Sequence, residues 1–294
     1  MGYITYFLNL CKRLNINMNF QCCADIFDNN RDFHWKCYRQ YINTNKNKKN
    51  QIQYGGTKKI KYTYDNYTFT IFKDIEDDRV TYSIHCDDNI DLDMCMMLFV
   101  EQTDRYVYID NISYYDNCIK NGMPKTRGGT LLLNMTLDFI KKVLKPEYNL
   151  KYIQLRDTSR IYCQKNKTHI DFDSFYMLTH GNTWYGKNGF IPFDDKKIKI
   201  NKKILKEYEE NQKLIETKIK DTNMEKFLKE VKGVNMKAVE KLINNSQNIS
   251  IQKFMKSLSK NFIESCHIIE SIYKKIMVDV GMHNLHGEIY FMTI

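Results

Sequence analysis

Between residues 58 and 112 apolar and polar positions alternate in five short runs, KIKYTY, YTFTIF, RVTYSIHC, MCMMLFVEQ and RYVYIDNIS. They are rich in Tyr, Thr, Ile, Val and Phe, side chains that fit a pleated, half-buried surface. Turn-prone DN, EDD, DDNIDLD and TD separate them. The pattern predicts an antiparallel meander of strands.

The period changes after Gly122 and Pro124. In KTRGGTLLLNMTLDFIKKVLKPE, apolar Leu132, Leu133, Met135, Leu137, Phe139, Ile140, Val143 and Leu144 cover a broad helical face. Lys141, Lys142 and Lys145 gather at its end, where cations complement the helix dipole, and Pro146 is expected to stop it. KYIQLRD then alternates as a strand, DFDSFYMLTHGNTWY predicts a shorter helix, and GFIPF starts a further strand. From about residue 200 the chain turns helical. Leu205, Tyr208, Ile215 and Ile219 share one face, Thr222 and Glu225 form a capping-box signature, and a last long helix is expected from about 251 to 280.

The polar stretch NTNKNKKNQIQ at 43–53, followed by Gly55 and Gly56, reads as a linker. The chain therefore divides into a small N-terminal segment with linker (1–56), an α/β domain (57–199) and a helical C-terminal region (200–294). A length of 294 residues suits one or two domains.

Hydrophobic residues make up 43% and aromatics 13%, a composition that folds. Lys and Arg exceed Asp and Glu by 45 to 35, giving +10, so anionic partners are favoured. Abundant Asn, Lys, Ile and Tyr read as the product of an AT-rich genome, which inflates Lys and weakens that argument. Nine cysteines, an odd number without even spacing, point to reduced thiols and a cytoplasmic protein, or a virion one if the chain is viral. The start lacks the basic segment of a signal peptide, Tyr6 stands where myristoylation wants Ser or Thr, and no run of about 18 apolar residues occurs. No membrane association is expected.

Two elements carry candidate chemistry. Lys125, Thr126, Arg127, Gly128, Gly129 and Thr130 precede the long helix. A helix N-terminus offers unpaired amides and a positive dipole end, and glycines let a diphosphate approach the main chain. Taken singly, two glycines before a helix form a turn. The second element is NTWYGKNGF at 182–190. Gly189 suits an αL cap with Trp184 and Tyr185 in the core; the functional alternative makes Tyr185 a proton donor in a cleft.

Strands, a glycine-bearing loop opening a long helix, a strand, and a helix ending in Tyr-x-x-x-Gly-Phe together resemble the GNAT superfamily of acyl-CoA-dependent N-acyltransferases, over roughly residues 60–195. The likeness is to a divergent member of the kind expected from a large DNA virus. Tyr185, Gly189 and Phe190 match the family's second motif. Against its Gln/Arg-x-x-Gly-x-Gly/Ala loop, Lys125 takes the first position, Gly128 the central glycine and Thr130 the last; shifting the frame to end on Gly129 puts Arg127 at the centre. The resemblance implies a mixed, mainly antiparallel sheet flanked by helices. It also implies that the strands at 106–112 and 151–156 splay around the pantetheine arm of acetyl-CoA. A primary amine on a protein or small molecule attacks the thioester, Tyr185 protonates the leaving thiolate, and a carboxylate serves as base. Among Glu101, Asp110 and Asp116, Asp110 ranks first because it falls within the cleft-lining strand. The rival reading is a catalytically silent scaffold acting as a binding or virion-associated protein.

Other constellations rank lower. Cys22, Cys23, His34 and Cys37 lack finger spacing, so no metal site is expected. A cysteine hydrolase built from His34 with Cys118 or Cys163 lacks a glycine-bounded nucleophile turn. The run KKIKINKK at 196–203 could bind nucleic acid but carries no interleaved aromatics, and nucleic acid is not favoured. The apolar stripe of the last helix could serve a homodimer through the C-terminal helices. His180, His283 and His286 form no ligand spacing.

Overall fold

The structure, a computed structural model, describes residues 55–76, 79–119, 122–124, 127–165, 167–223, 237, 240, 241, 244–260 and 262–294. The five alternating runs form β1 (Gly55–Tyr64), β2 (Tyr67–Glu76), β3 (Arg79–His85), β4 (Met94–Glu101) and β5 (Tyr106–Ile112), each paired antiparallel with the next. The DN between the first two is a two-residue hairpin turn with Asp65 and Asn66 both at positive φ, 47° and 65°. That geometry matches the twist of the strands it joins.

The long helix α1 (Gly128–Phe139) lays Leu132, Leu133, Met135 and Phe139 on this sheet, against Val107, Ile109, Ile153 and Leu155. It does not stop at Pro146. A π turn (Ile140–Leu144) leads into a final turn, Lys145–Tyr148, and the helix ends at left-handed Asn149. The wider turn ahead of Pro146 accommodates its ring and missing N–H. Polar clamps hold α1 to the strands: Tyr62 donates to Asp138, Tyr82 and Tyr148 share a 2.8 Å hydrogen bond, and Lys73 meets Glu147 at 2.7 Å.

Strand β6 (Tyr152–Arg156) follows and runs parallel to β5. Next come the hairpin β7 (Arg160–Cys163) and β8 (Thr168–Asp171), helix α2 (Phe172–His180), the short α3 (Trp184–Lys187), β9 (Ile191–Asp194) and β10 (Lys199–Ile200). The C-terminal region holds α4 (Lys202–Leu214), α5 (Ile251–Ser259) and α6 (Phe262–Val280). It then returns to the sheet as β11 (Ile289–Thr293), between β6 and β9.

The result is an α+β fold on a nine-stranded sheet of order β1-β2-β3-β4-β5-β6-β11-β9-β10, antiparallel except for β5–β6. The helix expected over 251–280 is two helices. The Thr222 hydroxyl donates to the Ile219 carbonyl at 2.7 Å, and Glu225, its partner in the expected capping box, lies with residues 224–236 outside the described set. A second apolar core joins β7–β8, α2, α4, α5 and α6, around Phe254, Ile269, Ile272 and Tyr273. Residues Gly55–Ile294 form one compact unit, so the sequence boundary at 199/200 falls inside it. No helix of the described residues is long and apolar enough to cross a membrane.

Two cysteine pairs differ from the reduced thiols expected. Cys95 pairs with Cys118, and Cys163 with Cys266 across 103 residues of sequence. An odd count forbids pairing them all but not pairing some, and only the fold brings these partners together.

Candidate functional site

β5 and β6 are paired from Tyr106–Tyr152 to Ile109–Leu155 and no further. Beyond that point β5 stays with β4 as far as Ile112, while Arg156 of β6 pairs with Ile289 of β11. On the β4 side, Leu98 faces Ile109 and Met97 faces Asn111, which leaves Asp110 as the extra residue of a bulge. A bulge raises local twist and re-aims side chains. Asp110, half-buried, thus sits where the two parallel strands separate.

The loop after β5 is pinned by the Ser113 amide to the Cys95 carbonyl (2.8 Å), by the Cys95–Cys118 disulfide and by the Met123 amide to the Asp116 carbonyl (2.7 Å). α1 then starts after Arg127, which is left-handed (φ 66°) and supplies no side-chain cap. Gly128 is buried, and the ring of Tyr114 occupies the place a Cβ would take. Among the described residues nothing lies within 4 Å of the corresponding position on Gly129. The Tyr114 hydroxyl donates to Asp116, which pushes the phenol pKa up to about 12. Of the predicted phosphate-binding residues, Arg127, Gly128, Gly129 and Thr130 therefore stand at the helix start with Gly129 open and Gly128 covered. Lys125 and Thr126 lie outside the described residues.

Tyr185 sits in α3, a single turn capped by Thr183, whose hydroxyl accepts from the Gly186 amide at 3.0 Å. Its ring is 7% exposed and packs edge-on against Phe190 at 5.8 Å, within the same apolar core as α1. Gly189 has φ 90°, as the cap reading required. Glu101 ends β4, and Asp116 is engaged by Tyr114.

A third cluster was not singled out from the sequence. Asp157 follows β6 directly and is 1% exposed; Asp173, in the first turn of α2, and Tyr290 of β11 are both 0% exposed. Asp157 is tied to the turn leading into β11 by its amide to the Glu288 carbonyl (3.0 Å) and its carbonyl to the Gly287 amide (2.7 Å). His286 Nδ1 lies 3.4 Å from Asp173 Oδ1, and Asp171 gathers Arg160 (3.4 Å) and Lys274 (3.6 Å). Among the described residues Asp157 Oδ2, Asp173 Oδ2 and the Tyr290 hydroxyl make no hydrogen bond. Burial, reinforced by the charge of Asp173, pushes the Asp157 carboxyl up to about 6. The hydrogen bond to Asp173 raises the pKa of His286 against the opposing effect of its burial. The DFD triplet at 171–173 was the one visible hint; of its partners, Lys274, His286 and Tyr290 lie more than a hundred positions away.

No family model, curated protein or solved structure matches the chain at the level taken as significant. The site therefore stands on its own geometry.

Cys118 and Cys163 are fully buried and disulfide-bonded, so neither is the free nucleophile a cysteine hydrolase needs. Cys86 Sγ lies 3.7 Å from Cys95 Sγ. The Cys22, Cys23, His34 and Cys37 set lies outside the described residues. His283 bonds Glu210 at 2.9 Å and His180 stacks on Tyr176, so neither joins His286.

Proposed function

We propose that the protein is an N-acyltransferase of the GNAT type, moving the acetyl group of acetyl-CoA to a primary amine on a protein or small molecule. The observation that carries this reading is the coincidence of two features at one end of the parallel pair. The strands separate after Ile109 and Leu155, and Tyr114, two residues beyond β5, touches the glycine that opens α1. The gap between the strands and the helix start are thus within one side chain of each other.

A diphosphate reaching that helix start meets the amides near Gly129 and Thr130 first, and gains Gly128 once the Tyr114 ring turns aside. The acyl chain then lies along the separated strand ends. The amine nitrogen bonds to the thioester carbon, the carbon–sulfur bond breaks, and the thiolate takes a proton from the Tyr185 hydroxyl. Asp110, at the bulge, is the candidate to accept the proton that the amine gives up. Asp157 is enclosed and is better suited to holding β6 against β11 and α2.

A second reading, a silent scaffold of the same fold acting as a binding or virion-associated protein, is favoured by the same Tyr114 ring over Gly128 and by the burial of Tyr185. Thermal unfolding with millimolar acetyl-CoA separates the two, because a ligand at about 100 times its Kd stabilises by about 2.7 kcal/mol. Acyltransfer requires a raised midpoint and thiol release with some member of an amine panel. No shift in either the wild type or Tyr114→Ala selects the scaffold.

A further inference from the structure

The sheet face opposite α1 carries a line of aromatic rings. Pairing places Tyr106, Tyr152, Phe291 and Phe193 on that face of four neighbouring strands, β5, β6, β11 and β9. Tyr106 stacks on Tyr152 with centroids 5.2 Å apart and planes 8° from parallel. Tyr152 in turn contacts Phe193 at 5.7 Å and Phe291 at 6.2 Å, and those two lie 4.6 Å apart.

Towards the sheet edge this line opens into a cavity of about 420 Å³ floored by Tyr152, Phe193 and Phe291, walled by Ile198 and Ile200, and rimmed by Lys199 and Lys202. Ile198 holds a left-handed backbone (φ 49°), a conformation that a β-branched residue rarely adopts, and its side chain is 63% exposed. An apolar group is thereby held out at the cavity mouth rather than folded into a core.

Charge along the line is divided: Glu101, Asp104 and Asp195 stand near Tyr106, and Asp104 also near Tyr152, where they help burial to raise the phenol pKa values, while lysines gather at the cavity. Lys197, Lys203 and Lys206 pair with Asp194, Glu207 and Glu210, whereas Lys196, Lys199 and Lys202 form no ion pair among the described residues. α4 also begins at Lys202, directing the positive end of its dipole to the same rim. A flat apolar floor under unpaired cations suits a ligand that combines a planar ring with a flanking anion, seated at the lysine end of the line and away from the acidic end at Tyr106. The lysine run contains no aromatics of its own, but the fold supplies them from β6 and β11.

We propose that this aromatic cavity and its lysine rim bind single-stranded nucleic acid, with a base seated on Tyr152 and Phe291 and the flanking phosphates held by Lys199 and Lys202. The site is on the sheet face away from α1 and does not depend on acyltransfer.

Fluorescence anisotropy of the full chain with labelled 12-nucleotide oligothymidylate and oligouridylate at about 50 mM salt tests it. Binding should weaken about ten-fold or more in Lys199→Glu/Lys202→Glu, and far less in Lys141→Glu/Lys145→Glu, which changes net charge equally at exposed positions elsewhere. Phe291→Leu should weaken it about five-fold or more through lost stacking. If that variant proves unfolded by circular dichroism, Ile198→Gly, which removes a wall and suits the positive φ, takes its place with the same expectation. The proposal is overturned by any one of four results: no binding at low salt, equal losses in the two lysine pairs, a duplex of the same length binding as tightly, or complete displacement by a mononucleotide at the concentration of the oligonucleotide. The last would identify a free nucleotide as the occupant.

Discussion

The ring of Tyr114 lies where a side chain on Gly128 would begin. Gly128 is thus needed for close approach, since it has no room for even one added methyl. Gly128→Ala should displace the ring and cost about 1–3 kcal/mol, read as a lowered Tm. In the double variant Gly128→Ala/Tyr114→Ala most of that penalty should vanish, as a thermodynamic cycle on touching residues reveals. Strict additivity would show that the two do not compete for the same space.

The buried acids make stability depend on pH in a defined direction. The Asp157 carboxyl titrates near 6 in the folded chain and near 3.8 when unfolded, so the native state holds the proton more tightly. Its contribution is fully favourable below about pH 4 and is lost as pH rises through 6, by about 3 kcal/mol. His286, whose folded pKa is raised, likewise contributes below its unfolded value and loses that contribution as pH climbs. Urea midpoints should therefore fall between pH 5 and pH 8. Asp157→Asn keeps an oxygen for the Ser159 amide (3.2 Å) and should flatten the profile and raise the midpoint at pH 8. A profile unchanged by this substitution would remove Asp157 as its cause.

Tyr185 separates packing from chemistry. Tyr185→Ala should cost about 3–5 kcal/mol because the ring is a core element, whereas Tyr185→Phe keeps the ring. If the hydroxyl protonates the thiolate, Tyr185→Phe should lower thiol release about a hundred-fold with Tm nearly unchanged. Undiminished turnover in that variant would take Tyr185 out of the acid role.

The Cys163–Cys266 bridge closes a long loop, and its loss should cost up to about 4–5 kcal/mol. Reductant should lower the unfolding midpoint of the wild type, and Cys163→Ser/Cys266→Ser should be less stable and lose most of that response. Alkylation of the denatured, unreduced protein followed by mass measurement should find Cys95, Cys118, Cys163 and Cys266 unmodified. Four labelled positions would restore the reduced-thiol expectation.

Local patterning made the first five strands, α1 and β6 legible, because alternation and helical periodicity are properties of neighbouring residues. The β7–β8 hairpin was missed: RIYCQKNKTHID is short and polar, and its burial comes from α2 and α6 rather than from its own pattern. β11 was missed for a similar reason, since IYFMT follows a long helical stretch and only its partners on β6 and β9 make it a strand. In the site, glycines and a tyrosine at motif spacing could be read in advance. The Tyr114 ring over Gly128, the bulge at Asp110 and the Asp157–Asp173–His286 cluster depend on contacts between distant segments, which spacing does not encode.

The insertion of Ile289–Thr293 between β6 and β9 affects how the chain is made. When Ile200 leaves the ribosome, β9 and β10 have only each other to pair with, because the strand that links them to β6 is not yet synthesised. Through the translation of α4, α5 and α6 the sheet therefore has an open seam at β6, a transient edge that invites chaperone binding.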